Sequence, residues 1–90
     1  VDKDDARRRD HVAFTAAINA PDRARARAIV ARWDAQKLCS PVYIKAWRAL
    51  LELPRAALRA KLEARDDFTR VLLANSPLTP LIARRRRAAR

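Results

Sequence analysis

The sequence predicts an all-α domain, folded as a compact, irregular (orthogonal) bundle of four to five short helices with a basic C-terminal tail. The chain has 90 residues, half of them hydrophobic, and it contains no glycine. Glycine supplies the positive φ angles of hairpin turns and phosphate-binding loops, so its absence argues against β-hairpins, P-loops and dinucleotide-binding folds. Five prolines mark breaks in the sequence instead. Between these breaks, apolar residues recur at helical spacing.

The first two helices are predicted over residues 4–19 and 21–37. Phe14 and Ile18 stand four residues apart, which places them on one face of the first helix. Pro21 ends that helix, because proline cannot continue it, and proline is favoured in the first turn of the next one.

The third helix is predicted from Pro41 onward and has the broadest apolar face, so we expect it at the centre of the bundle. Ser40 followed by Pro41 is typical of an N-cap and a first helical residue. The aromatic residues Trp33, Tyr43 and Trp47 recur at helical spacing among Ile and Leu, which indicates core positions. The apolar face looks wider than a chain of this size can cover alone, which makes a homodimer plausible.

Two further helices follow before the basic end of the chain. Pro54 starts the fourth helix, and Asp66 or Asp67 is expected to cap a short fifth helix. Phe68 is expected on the inner face of that fifth helix, which Pro77 then ends.

The formal net charge is +11, and nearly half of this excess lies in residues 77–90. Residues 1–80 are predicted to form a single helical domain, and residues 81–90 an arginine-rich C-terminal helix or tail. The chain contains 17 arginines and 20 alanines, both encoded by GC-rich codons. Part of the basicity could therefore reflect genome composition rather than selection for a partner.

The arginine run predicts non-specific contact with nucleic acid, mainly through phosphates, in a regulatory or ribonucleoprotein accessory role. Guanidinium groups bind phosphate with two hydrogen bonds and release counterions from nucleic acid. The fourth helix offers few of the side chains that read base edges, so sequence-specific recognition is not expected. A solvated, charged chain end is the alternative interpretation of the run. The candidate contact residues are Arg84, Arg85, Arg86, Arg87, Arg90, Arg55 and Arg59.

A second function of a different class is an antitoxin-like or adaptor module that binds an acidic protein. The arginines would then be rim charges that speed association with that partner. An exposed apolar patch around Trp33 or Trp47 would favour this function. Clustering of Arg55 and Arg59 with the C-terminal arginines, without interleaved carboxylates, would favour nucleic acid.

No enzyme activity, cofactor or metal site is predicted. His11 and Cys39 are the only histidine and the only cysteine, too few for a tetrahedral zinc site, and no catalytic spacing accompanies them. A single cysteine fits a reducing compartment, so a cytoplasmic location is expected. No apolar run approaches the roughly 18 residues that span a bilayer, so stable membrane insertion is not expected.

Overall fold

A computed structural model describes residues 2–89, which form six α-helices and no strand. The all-α prediction is confirmed, although the number of helices is one above the upper expectation. The difference arises because most of the residues predicted as a helix or tail form a regular sixth helix. The helices are α1 (Lys3–Thr15), α2 (Ala20–Ala35), α3 (Pro41–Leu50), α4 (Arg55–Leu62), α5 (Asp67–Ala74) and α6 (Thr79–Ala88).

Side-chain caps set the starts of three of these helices, and at α1 the Asp2 side chain accepts from the Asp4 N–H at 2.9 Å. At α2, the Asn19 side chain accepts from the Asp22 N–H at 2.8 Å, and Asp22 accepts from the Asn19 N–H at 3.2 Å. This capping box explains why α1 ends before residue 19, because Asn19 needs an extended backbone to cap the next helix. At α5, Asp66 accepts from the Thr69 N–H at 2.7 Å. That backbone bond, together with a side-chain hydrogen bond from Thr69, holds the pKa of Asp66 below its ordinary value. Helix α3 begins directly after Ser40, as predicted, but without a bond from the Ser40 side chain.

Helix α2 ends in a left-handed turn whose left-handed residue is a lysine rather than a glycine. Lys37 has a φ of 54°, in the region where helices usually place glycine. The turn lets the Leu38 N–H donate to the Trp33 carbonyl at 2.9 Å, which closes the helix with a bond across six residues.

At one further helix end and in the linker between α1 and α2, backbone carbonyls accept hydrogen bonds from arginines of other helices. The Leu51 carbonyl at the end of α3 accepts from Arg23 at 2.8 Å and from Arg27 at 3.3 Å, both on α2. Beyond the end of α1, the Ile18 carbonyl accepts from Arg55 Nε at 3.0 Å. Terminal carbonyls lack partners within their own helix, and cationic donors also complement the negative end of the helix dipole.

Helix α1 is the element around which the others assemble, since α4, α5 and α6 all pack against it, while α3 packs against α2. The expectation that the third helix lies at the centre was therefore wrong. Trp47 of α3 is nevertheless fully buried, and its indole N–H donates to the Asn75 carbonyl at 3.0 Å. The core contains residues of every helix: Phe14, Ile18, Ala26, Val30, Ile44, Trp47, Leu50, Leu51, Leu58, Leu62, Leu72, Leu73, Leu78 and Leu81.

The core prediction failed for one aromatic residue and was only partly right for two others. Phe68 is 44% exposed, because it occupies the first turn of α5 and stacks on Tyr43 with ring centroids 5.3 Å apart. Trp33 and Tyr43 are half-buried and pack against the edge of the core.

His11 links α1 to the turn that precedes α6. Its Nδ1–H donates to the Arg7 carbonyl at 2.8 Å, so in the neutral ring Nε2 accepts from the Ser76 hydroxyl, also at 2.8 Å. Ser76 Oγ in turn accepts from the Leu78 N–H at 3.0 Å. Burial lowers the pKa of His11, which the bond to the Arg7 carbonyl and the charge of Asp10 partly oppose. His11 is thus a buried residue whose two ring nitrogens are both used in linking α1 to this turn.

Replacing Lys37 with glycine should stabilise the fold. A left-handed residue with a side chain is strained, and removing the strain should raise the free energy of unfolding by about 0.5–1 kcal/mol, net of the glycine entropy cost. The matched control is Lys45→Gly within α3, which should lower it by about 1 kcal/mol. Urea denaturation followed by tryptophan fluorescence measures both, and a loss of stability at position 37 would contradict the prediction.

The stability of the fold should depend on pH through His11. Because the pKa in the folded chain lies below the unfolded value of 6.5, the unfolded chain binds the extra proton between those two values. The contribution is therefore complete above pH 6.5 and is lost as the pH falls toward the folded pKa. In urea titrations between about pH 5 and 8, His11→Gln should flatten this dependence. Equal pH slopes for the two proteins would contradict the assignment.

Candidate functional site

The arginine run lies on α6, and the helix divides it into two pairs. Arg85 binds the Asp22 carboxylate and places its guanidinium carbon 4.3 Å from the centroid of the Phe14 ring. Arg86 binds Asp10 Oδ1 at 2.6 Å. Arg84 and Arg87 are exposed and form no ion pair within residues 2–89. Arg85 and Arg86 therefore hold α6 against α1 and α2, whereas Arg84 and Arg87 face solvent. Arg90 lies outside the described residues.

The two candidate arginines of α4 also have partners inside the protein. Arg55 donates from Nε to the Ile18 carbonyl, and Arg59 Nε lies 3.1 Å from Glu63 Oε1 one helical turn away. The Arg59 pair is exposed on both sides, so it is weak and contributes little to stability. The structure thus connects Arg55 to the linker between α1 and α2, and Arg59 to the C-cap residue of its own helix.

The pairing of the acidic residues determines which cationic side chains are left without a partner. Of the ten acidic residues, eight form ion pairs, while Asp2 and Asp66 cap helices. Within residues 2–89, the cationic side chains with neither an ion pair nor a hydrogen bond are Lys3, Arg9, Arg25, Arg32, Lys37, Lys45, Lys61, Arg84 and Arg87. The free charge is thus spread over several helices rather than confined to the C-terminal run.

Two of these unpaired cations meet where α2 and α6 adjoin. A surface pocket of about 190 Å³ there, which we call the α2–α6 seam, is lined by Asp22, Arg25, Leu81, Arg84, Arg85 and Ala88. Arg84 belongs to the predicted set, whereas Arg25 does not. Its position three residues after Asp22 gives it the same side of α2, but only the packing of α6 brings it close to the arginine run.

A groove between α3 and the start of α5 has a largely apolar lining. This α3–α5 groove has a volume of about 540 Å³. Its floor contains the buried Leu50 and Leu72, and its walls contain Ala46, Ala49, Leu53, Ala64 and Phe68. Thr69, Lys61 and Asp66 complete the lining, with the two charged residues on the α4 and α5 side. Exposed apolar surface of this kind commonly marks a binding groove.

A further exposed apolar residue, Val42, lies on α3 outside the lining of the groove. Val42 is 53% exposed and lies one turn before Ala46 on the same side of the helix. Phe68 is fixed by its stacking on Tyr43, with 27° between the ring planes. The wide apolar face that the sequence indicated for the third helix is therefore partly an exposed groove wall.

The remaining chemistry of the described residues is sparse. No cluster of three or more His, Cys, Asp or Glu side chains is arranged to hold a metal ion. Within this part of the chain, no helix combines the length and apolar character needed to cross a membrane. Comparison with protein-family models, curated proteins and solved structures found no match for the chain.

The two pairs of arginines on α6 should differ in their effect on stability. Arg85→Ala removes the cation–π contact with Phe14 and leaves the Asp22 side chain, only 10% exposed, without its cation. The free energy of unfolding should fall by about 1–3 kcal/mol. Arg87→Ala is the matched control on the same helix and should change it by less than about 0.5 kcal/mol. Equal losses in urea denaturation would show that Arg85 has no structural role.

Proposed function

We propose that this chain is a protein-interaction module that binds one amphipathic helix of an acidic partner in the α3–α5 groove. The observation that supports the proposal is an exposed aromatic ring on a preformed apolar groove. Phe68 is held in place by Tyr43, so little conformational entropy of its side chain is lost on binding. Aromatic anchors beside buried apolar floors are typical of residues that dominate interface energies.

The shape of the groove favours a helix as the occupant. Alanines at positions 46, 49 and 64 leave room along the groove for larger side chains of a partner. A helix presents large apolar residues at positions i, i+3 or i+4, and i+7 on one face, which matches a groove formed between helices. The floor residues Leu50 and Leu72 would then contact those anchors.

The charge around the groove favours an acidic partner. Lys61 lines the groove, and Lys45 lies on the α3 surface one turn from both Val42 and Ala49. Neither lysine has an ion pair within residues 2–89. The chain as a whole carries +11, which attracts acidic proteins over a distance and raises the rate of association.

Nucleic-acid contact through the seven candidate arginines has less support as the main function. Arg55, Arg85 and Arg86 hold helices together, and the carboxylates of Asp10 and Asp22 lie among the α6 arginines. The clustering without carboxylates that would favour nucleic acid is therefore not met. Leu38, which is 64% exposed beside the half-buried Trp33, supports the protein-binding function instead, whereas Trp47 is fully buried.

The test uses three synthetic helical peptides of equal length and wild-type protein. The first has Leu and Phe anchors on one face and Glu on the other, the second reverses the charges to Lys, and the third keeps Glu but replaces the anchors by Ala. Calorimetry should give a dissociation constant on the order of micromolar for the first peptide, and at least about tenfold weaker binding for the others.

Two protein variants locate the binding. Ala49→Glu places a charge in the groove without disturbing helix propensity, and Ala31→Glu makes the same change at an exposed position of α2. Only the first should abolish binding of the anchored acidic peptide. Equal binding by the two variants, or by the peptide without anchors, would refute the proposal. If the chain instead sediments as a dimer that Ala49→Glu alone dissociates, the occupant is a second copy, and the proposal of an acidic partner is wrong.

A further inference from the structure

The α2–α6 seam brings three guanidinium groups and one carboxylate to a single pocket. The carboxylate of Asp22 is already engaged, because its Oδ2 accepts from Arg85 and from the Asn19 N–H. Arg85 is thereby held in position and its charge is matched. The lining has a formal charge of +2, and it is carried by Arg25 on one side and Arg84 on the other.

We propose that this seam binds a phosphate group between Arg25 and Arg84. A guanidinium offers several N–H donors in a plane and can bind two oxygens of one anion. Two guanidinium groups on different helices can therefore bind different oxygens of one tetrahedral phosphate. A carboxylate has only two oxygens, so it pairs mainly with one guanidinium. The pocket volume of about 190 Å³ is large enough for a phosphate group with its water.

The lining also determines how far recognition extends beyond the phosphate. Besides the charged residues, only Leu81 and Ala88 line the pocket, so it has no aromatic ring on which a base could stack. The site therefore binds the phosphate alone, either as a free phosphate or phosphate ester, or as part of a nucleic-acid backbone. Backbone binding would be independent of base sequence.

This site does not depend on the proposed protein-binding function. The seam lies between α2 and α6, whereas the groove is formed by α3, the end of α4 and α5. Failure of either proposal leaves the other intact, because their variants affect different surfaces.

The experiment compares the double variant Arg25→Gln/Arg84→Gln with the control Arg9→Gln/Arg32→Gln. All four arginines are exposed and unpaired within residues 2–89, and glutamine is compatible with helices. Both variants lose the same charge. Inorganic phosphate is titrated into the isotope-labelled protein with chloride as the reference salt, and amide shifts on α2 and α6 are followed by NMR. The wild-type protein should show saturable amide shifts at the seam. The dissociation constant for phosphate obtained from them should rise by about tenfold or more in the first variant only.

A short DNA duplex of arbitrary sequence distinguishes the two sources of phosphate. If the seam takes backbone phosphate, the slope of log affinity against log salt should fall by about two in the first variant and by less in the control. If it takes free phosphate only, inorganic phosphate binds and the two variants bind DNA equally. The proposal is overturned if neither probe separates the two double variants, because bulk charge then explains any binding.

Discussion

The fold has no glycine with which to close the ends of its helices, and arginine side chains supply bonds to backbone carbonyls that lie at the end of α3 and in the α1–α2 linker. Glycine usually allows the last carbonyls of a helix to be bonded by a local left-handed turn. Within residues 2–89, only α2 uses that turn, at Lys37, and accepts the strain of a side chain there. The Leu51 carbonyl at the end of α3 is bonded instead by Arg23 and Arg27 of α2, and Arg55 bonds the Ile18 carbonyl in the α1–α2 linker. The arginine content is thus partly a structural requirement.

This requirement changes what the high net charge says about function. A count of arginines suggests a nucleic-acid surface, yet many of them bind carboxylates or carbonyls of the protein itself. The unpaired positive charge is carried by side chains on several helices. Two of these side chains, Arg25 and Arg84, line the α2–α6 seam. The apolar α3–α5 groove lies elsewhere, so one small domain carries two separate surfaces of different chemistry.

Local signals in the sequence were sufficient for the fold class and for most helix starts. Proline after Ser40 and the acidic cap at Asp66 depend on neighbouring residues, so they can be recognised without knowing the packing. The role of α1 as the packing centre, the pairing of Arg85 with Asp22 and the meeting of Arg25 with Arg84 all depend on residues distant in the chain. Phe68 was misplaced for the same reason, since apolar periodicity does not distinguish a core face from a groove wall.

The hydrogen bonds from Arg23 and Arg27 to the Leu51 carbonyl couple the unfolding of α3 to that of α2. A helix end closed by its own turn can fray alone, because the bonds it loses are all within one segment. The end of α3 is bonded from α2, so its fraying also breaks contacts that hold α2 in place. Opening of this region therefore involves two helices together, which raises the cooperativity of a domain whose individual helices are short.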